Sequence, residues 1–216
     1  MDDWKPIAGN DKIDEDLQEI LNAFPEPSRR RMDKKIRQNA ETLAKHGTEA
    51  ADAHARHTFR EFLVAYELNK GGCDLVYGET IGGKTPDWLD VRRSLLLEAF
   101  TIERGGSGDV VKRATDSIAH KAHKYRAIIE DNNLHFVLGV HGDFLSFFIS
   151  DDCEEALERC QDIDGGSVSG VVHFSETHAT KFRRPDGTIR VKQIYRFEYL
   201  PNPRSKRPID LAAMLP

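Results

Sequence analysis

The sequence of 216 residues predicts an α/β fold whose core runs in the order helix, three-strand meander, helix, strand. Three observations favour this class. One long segment repeats its apolar residues at helical spacing, the next three apolar segments are short and separated by turn residues, and a later apolar run is nearly continuous. A continuous apolar strand is typical of a sheet that is covered on both faces.

The first 47 residues are predicted to form an N-terminal helical arm, and the domain itself is expected at 48–216. Within the arm, DEDLQEILNAF carries Leu17, Ile20 and Phe24 at helical spacing. The prolines of the following PEP end that helix. The first core helix is then expected to begin at Thr48, which can cap a helix, and to end at two consecutive glycines.

The three-strand meander is predicted in the segments CDLVYGE, TPDWLDV and SLLLEAFTI. Glycine and arginine pairs separate the segments, as expected for turns between short strands. A second helix is predicted from Val110, closed by the Asn132-Asn133 pair, and LHFVLGVHG is the continuous apolar strand. After it we expect a short helix in DDCEEALERCQDI and a C-terminal β-hairpin whose turn is RPDG.

Composition restricts the function classes. Charged residues make up 31% of the chain, and no apolar run approaches the roughly 18 residues that a membrane-spanning helix needs. The acidic N-terminus is unlike a signal peptide, so we expect a cytoplasmic protein without a membrane partner. Three cysteines without a C-x-x-C pair support neither a disulfide framework nor a zinc knuckle.

The net charge of −5 argues against a protein that coats nucleic acid nonspecifically, although a local basic face is still compatible with it. Two segments can form such a face, SRRRMDKKIRQ at 28–38 and KFRRPDGTIRVK at 181–192. In the second segment Arg183, Arg184 and Arg190 are candidate contacts to nucleic acid. The alternative for each segment is an ordinary solvated surface.

Two acids stand out in the meander. Asp87 follows Pro86 at the start of the second strand, and Glu98 lies within the otherwise apolar third strand. Two carboxylates on neighbouring strands can bind a divalent ion such as Mg²⁺ or Mn²⁺, and an acid in an apolar strand is costly to bury without a partner. The alternative is a solvent-exposed Glu98, or a Glu98 paired with Arg92 or Arg93.

The element order and these acids resemble the PD-(D/E)XK nuclease superfamily, in which Pro-Asp lies on the second strand and Glu-x-Lys on the third. The matching residues are Pro86-Asp87 and Glu98-Ala99-Phe100, and the resemblance covers about residues 48 to 141. It implies a restriction-endonuclease-like core, a Mg²⁺-dependent deoxyribonuclease activity in restriction, repair or defence, and Asp87 and Glu98 as metal ligands.

The sequence departs from this pattern at Phe100, which occupies the position of the family's lysine. In the helix after the third strand, Lys121 and Tyr125 are one turn apart and share a face. They resemble the glutamine-x-x-x-tyrosine motif of the recombination-type nucleases, with lysine replacing glutamine. We therefore expect the ammonium of Lys121 within a few ångströms of Glu98, Phe100 at the border of the site, and Lys124 and Tyr125 near nucleic acid.

The resemblance also implies a glutamate from the first core helix. Glu61 and Glu67 are both available there, and we favour Glu61 as an assisting catalytic residue. The alternative function is a nuclease fold that no longer cleaves and binds nucleic acid or a protein partner, with Phe100 as the mark of lost chemistry. A homodimer is also compatible with the sequence.

Overall fold

The structure is a computed structural model that describes residues 11–46, 48–102, 109–142, 148–164, 166–183, 187 and 189–216. Inside these ranges the structure describes the backbone but not the side chains at 11–14, 40, 42–46, 48–53, 161–164, 182 and 190–192.

Within the described residues, five helices and six strands follow one another. They are α1 Asp11–Ala23, α2 Glu26–His46, α3 Thr48–Lys70, β1 Val76–Tyr77, β2 Trp88–Asp90, β3 Leu95–Ile102, α4 Val110–Asp131, β4 His135–Gly142, α5 Ser150–Asp164, β5 Gly170–Arg183 and β6 Ile189–Pro201, with a short 3₁₀ helix at Ala212–Met214. The predicted helices and strands are confirmed, and β5 extends further than its sequence pattern indicates.

All six strands form one mixed sheet in the order β1-β2-β3-β4-β5-β6. The pairs β1/β2 and β2/β3 are antiparallel, which confirms the meander, and β5/β6 is an antiparallel hairpin. The strand pairs β3/β4 and β4/β5 are parallel, with α4 and α5 as their respective crossover helices. The fold class is therefore α/β. The RPDG turn falls mainly outside the described residues.

Each face of the sheet is covered by helices. Along β3, Leu97 and Ala99 face the core beneath α3, while Leu96 and Phe100 face the core beneath α4 and α5. The α3 helix approaches β4 closely at Gly139, where an added Cβ would lie 3.0 Å from a methyl carbon of Val64. This close packing fixes the height of α3 above the strands and so the position of the acid that it carries.

The N-terminal helices share the core beneath α3. Leu17, Ile20 and Leu21 of α1 are buried there, together with Met32 and Ile36 of α2. The buried stripe of Ser28, Met32 and Ile36 turns the rest of α2 outwards, and with it the basic residues of the 28–38 segment. The packing of α2 therefore determines which surface these cations occupy.

None of the described helices has both the length and the apolar character needed to cross a membrane.

Candidate functional site

The two acids of the meander meet at one point of the sheet. Since Trp88 pairs with Leu97 in the antiparallel β2/β3 ladder, Asp87 lies opposite Glu98. The amide of Asp87 donates to Glu98 Oε1 at 3.0 Å, and the amide of Ala99 donates to Asp87 Oδ2 at 3.1 Å. Glu98 is 2% exposed, whereas Asp87 is partly exposed. The strand backbone therefore orients both carboxylates.

The alternative partners of Glu98 lie elsewhere. Arg92 pairs with Asp74 at 3.3 Å, and Arg93 lies 3.8 Å from Asp90. Asp90 is as buried as Glu98, but its oxygens accept main-chain hydrogen bonds from Asp74 and Arg93. It is therefore a structural acid that ties the segment before β1 to the turn after β2.

A lysine from α4 reaches the acids. Lys121 Nζ lies 2.7 Å from Glu98 Oε2, so the expected distance between these groups is confirmed. The same ammonium lies 5.9 Å from the centre of the Phe100 ring, and Phe100 is 9% exposed, so the ring borders the site as expected. A cation thus stands beside Glu98 although the strand itself carries phenylalanine. Its catalytic role stays a prediction.

Tyr125 has a different position from the one expected. Its side chain is completely buried and its hydroxyl donates to Glu98 Oε1 at 2.5 Å. Burial, reinforced by the nearby Glu98, raises the pKa of the Tyr125 phenol, which keeps the proton that it donates. The prediction that Tyr125 contacts nucleic acid is therefore wrong, because a buried ring orients Glu98 instead. Lys124 is exposed, with its Nζ 4.5 Å from the centre of the Tyr125 ring.

Of the two α3 glutamates, Glu61 lies with the acids. It is 1% exposed, and Lys35 Nζ of α2 donates to both of its carboxylate oxygens, at 2.9 and 2.6 Å. The indole of Trp88, next to Asp87, donates to the Glu61 carbonyl at 3.1 Å. Glu67 instead pairs with Lys70 at 2.8 Å.

Three carboxylates and two ammonium groups therefore form one cluster. Burial raises the pKa of Asp87 to about 7, and repulsion from Glu61 and Glu98 adds to the shift while Lys121 and Lys35 oppose it. Burial also raises the pKa of Glu61. The charges leave an excess of one negative charge when all groups are ionised, so an additional cation would be stabilised here.

The donor set fits a hard divalent ion with few protein ligands. Among the described residues, no three His, Cys, Asp or Glu side chains are grouped closely enough to hold a metal ion by themselves. Mg²⁺ is commonly held by one or two carboxylates, with water and substrate phosphate as further ligands. No described residue donates a hydrogen bond to Asp87 Oδ1, and Glu98 accepts three, so each carboxylate retains acceptor capacity.

Sequence reasoning missed two members of the site. Lys35 belongs to the basic segment 28–38, whose charge pattern gives no sign of contact with the acids. Tyr77 of β1 lies beside Glu61, and its phenol interacts with that carboxylate. Neither residue lies in a motif that marks it, and only the folding of α2 and β1 against α3 brings them to Glu61.

An open cleft of about 380 Å³ lies in front of Asp87. Its lining comes from α2 on one side and from the loop between β1 and β2 on the other; it consists of Arg31, Lys34, Lys35, Gln38, Asn39, Tyr77, Gly78, Thr85, Pro86 and Asp87. Access to the acids is therefore flanked by the basic surface of α2.

The second basic segment lies on the β5/β6 hairpin. Its strands remain paired from Glu176 to Arg183 as a two-stranded ribbon that continues past Ser175, the last β5 residue paired with β4. Lys181 and Arg183 are exposed on this ribbon. Arg184 falls outside the described residues, and so does the side chain of Arg190.

Comparison with known proteins finds no family model, no curated protein and no solved structure that matches this chain.

Proposed function

We propose that this protein is a Mg²⁺- or Mn²⁺-dependent nuclease that hydrolyses phosphodiester bonds of DNA, with a restriction-endonuclease-like core of the PD-(D/E)XK type. The observation that carries the proposal is the position of Lys121, whose ammonium lies 2.7 Å from Glu98 beside the partly exposed Asp87. The resemblance requires a cation beside two strand-borne carboxylates. Phe100 occupies the family's lysine position and cannot supply this cation, whereas Lys121 can.

Asp87 and Glu98 are the residues that would hold the metal ion, and Glu61 adds a nearby negative charge. When bound, the ion supplies Lewis-acid polarisation of a phosphoryl oxygen and lowers the pKa of a bound water. The chain positions the two carboxylates through main-chain hydrogen bonds from Asp87 and Ala99, so their orientation is set before any ligand arrives.

Lys121 stabilises the negative charge that develops on the scissile phosphate. It is pre-positioned by Glu98 on one side and by the Phe100 ring on the other. Tyr125 is a positioning residue, because its hydroxyl fixes the Glu98 carboxylate that in turn fixes Lys121. Removing one charge-stabilising donor from such a site typically costs on the order of a hundredfold in rate.

The activity test uses supercoiled, linear and single-stranded DNA incubated with purified protein and Mg²⁺ or Mn²⁺, against an EDTA control. We expect metal-dependent cleavage, and its loss in Asp87→Asn and Glu98→Gln with unchanged circular dichroism. Asp90→Asn is a control, since it alters an acid outside the site that is as buried as Glu98. Cleavage at the wild-type rate by either site variant would contradict the assignment of Asp87 and Glu98 as metal ligands.

The second candidate is a module of the same fold that binds without cleaving. It is favoured by the three hydrogen bonds that Glu98 accepts, from Asp87, Lys121 and Tyr125, which hold this carboxylate without any metal. DNA binding without cleavage of any of the three substrates, with either metal, would select this candidate.

A further inference from the structure

The first half of α2 carries a concentrated positive charge in a chain that is acidic overall. Six of the eleven residues at 28–38 are lysine or arginine and one is acidic, while the whole chain has a net charge of −5. Ser28, Met32 and Ile36 are buried, so the basic residues occupy the remaining surface of the helix. This is a local basic face rather than a general property of the protein.

That face forms one wall of the cleft in front of Asp87. Three cations line the cleft, Arg31, Lys34 and Lys35, and Asp87 is the sole acid among the described lining residues. A polyanion that enters the cleft therefore meets positive charge along the wall and reaches the carboxylates at one point. This distribution suits a nucleic-acid backbone. Basic residues along the wall attract its phosphates, and the one phosphate that reacts lies at the proposed metal site.

Two of the three cations are fixed by the protein. Arg31 donates to the Tyr77 carbonyl at 2.8 Å and to Glu79 at 2.7 Å, which ties α2 to the end of β1. The turn there requires Gly78, with φ of +65° and an added Cβ 3.3 Å from Arg31 Cδ. Lys35 is bonded to Glu61. These contacts hold the wall in place without any ligand.

Lys34 is the cation available to a ligand. It is exposed, it lines the cleft, and no described acid pairs with it. The cleft also lacks a surface for stacking bases, since Tyr77 is the only aromatic residue among its described lining and is 7% exposed. Proteins that select single strands usually stack bases on aromatic rings, whereas duplexes are held by contacts to phosphate.

We propose that the α2 cleft binds the phosphate backbone of double-stranded DNA, independently of base sequence, with Lys34 as a direct phosphate contact. The duplex is then led to Asp87, and in this last step the inference rests on the proposed function. Another groove, between α1, α3 and β6, is lined by three acids, Asp16, Glu19 and Glu67, against one cation, Lys70, and its net negative charge would repel the same ligand.

The test measures fluorescence anisotropy of a short labelled DNA duplex with the full chain in EDTA, so that binding is recorded without cleavage. The variants are Lys34→Gln and Lys34→Glu. The matched control is Lys206→Glu, an exposed lysine whose amide bonds to Gly166 near the amino end of β5, at the opposite end of the sheet. Single-stranded DNA and an RNA duplex of the same length form the other arms.

For Lys34→Gln we expect the slope of log affinity against log salt to become shallower by about 0.9, the value for one phosphate contact. Lys34→Glu should weaken duplex binding at low salt by about tenfold, because it adds repulsion to the lost contact. Lys206→Glu should bind like the wild type. Equal losses of duplex affinity in Lys34→Glu and Lys206→Glu would overturn the cleft assignment, and so would an unchanged salt slope in Lys34→Gln. Tighter binding of the single strand than of the duplex would overturn the choice of a duplex.

The two proposals fail separately. If the wild type cleaves DNA and Lys34→Glu binds and cleaves equally well, the cleft assignment is wrong while the nuclease stands. If no cleavage occurs but Lys34→Glu still weakens duplex binding, the cleft assignment stands and the nuclease proposal fails.

Discussion

Two buried glutamates of this protein are each bonded to a lysine from a different helix, and the pairs differ in how much of the glutamate the lysine occupies. Glu98 and Glu61 are almost equally buried. Lys35 bonds both oxygens of Glu61, whereas Lys121 bonds one oxygen of Glu98 and leaves the other to Tyr125 and the Asp87 amide.

The difference shows that two ion pairs of the same type have different roles in this protein. The Lys35–Glu61 pair joins α2 to α3 and fixes the cleft wall, so its role is mainly structural. The Lys121–Glu98 pair stands next to Asp87, whose Oδ1 accepts no hydrogen bond from any described residue, and there the lysine can respond to a ligand. A buried ion pair by itself is weak evidence for stability or for catalysis, because the groups around it determine its role.

The largest effect is expected at Asp87. Asp87→Asn removes the carboxylate with the most unused acceptor capacity, and we expect metal-dependent cleavage to fall on the order of a thousandfold or more, as for loss of a metal ligand. Cleavage rates under single-turnover conditions, with circular dichroism to check folding, measure this loss. A loss smaller than that of Lys121 variants would place the metal elsewhere.

Asp87 should also set a pH dependence of stability. Its folded pKa is raised from the ordinary value to about 7, so the folded state holds this proton more tightly than the unfolded chain. The resulting stabilisation is complete below about pH 4 and is lost as the pH rises through about 7. In EDTA, Asp87→Asn should therefore unfold at a higher temperature than the wild type at pH 8, and the gain should shrink at pH 5. An equal gain at both pH values would contradict this assignment.

Lys121→Met should lower the cleavage rate by on the order of a hundredfold, because it removes one charge-stabilising group. Metal affinity, measured by isothermal titration, should change little. The variant also leaves Glu98 without its cation, so a stability loss is expected. The double variant Lys121→Met/Glu98→Gln should recover stability but not cleavage. If Lys121→Met cleaves as fast as the wild type, Lys124 is the next candidate, and activity in both variants would end the displaced-lysine interpretation.

Lys35→Met should reduce cleavage by about tenfold or less, while its stability loss should equal or exceed that of Lys121→Met, because Glu61 then loses its only cation among the described residues. Chemical denaturation and single-turnover rates measure the two effects. A rate loss as large as that of Lys121→Met would erase the distinction between the two pairs.

The smallest effect is expected on the β5/β6 ribbon. Lys181→Gln and Arg183→Gln should each flatten the salt dependence of DNA binding by up to about 0.9 in slope if the exposed cation contacts phosphate. Binding titrations at several salt concentrations test this. Unchanged slopes would return the ribbon to an ordinary solvated surface.

The sequence by itself determined the order of elements, because each depends on local patterns. The stripe of Phe59 and Leu63, the turn residues of the meander and the continuous apolar run of β4 all specify their element within a few residues. It also placed Asp87 and Glu98 on neighbouring strands, whereas the register that sets them opposite each other comes from the structure.

Only the tertiary structure decided which partners surround these acids. Lys35 reaches Glu61 because α2 packs on α3, and Tyr125 faces Glu98 rather than solvent because α4 lies with that face on the sheet. The 28–38 segment has the same charge pattern whether it lines a cleft or an open surface. Helical spacing fixes which residues share a face, but the element that covers this face is determined by packing between segments far apart in the chain.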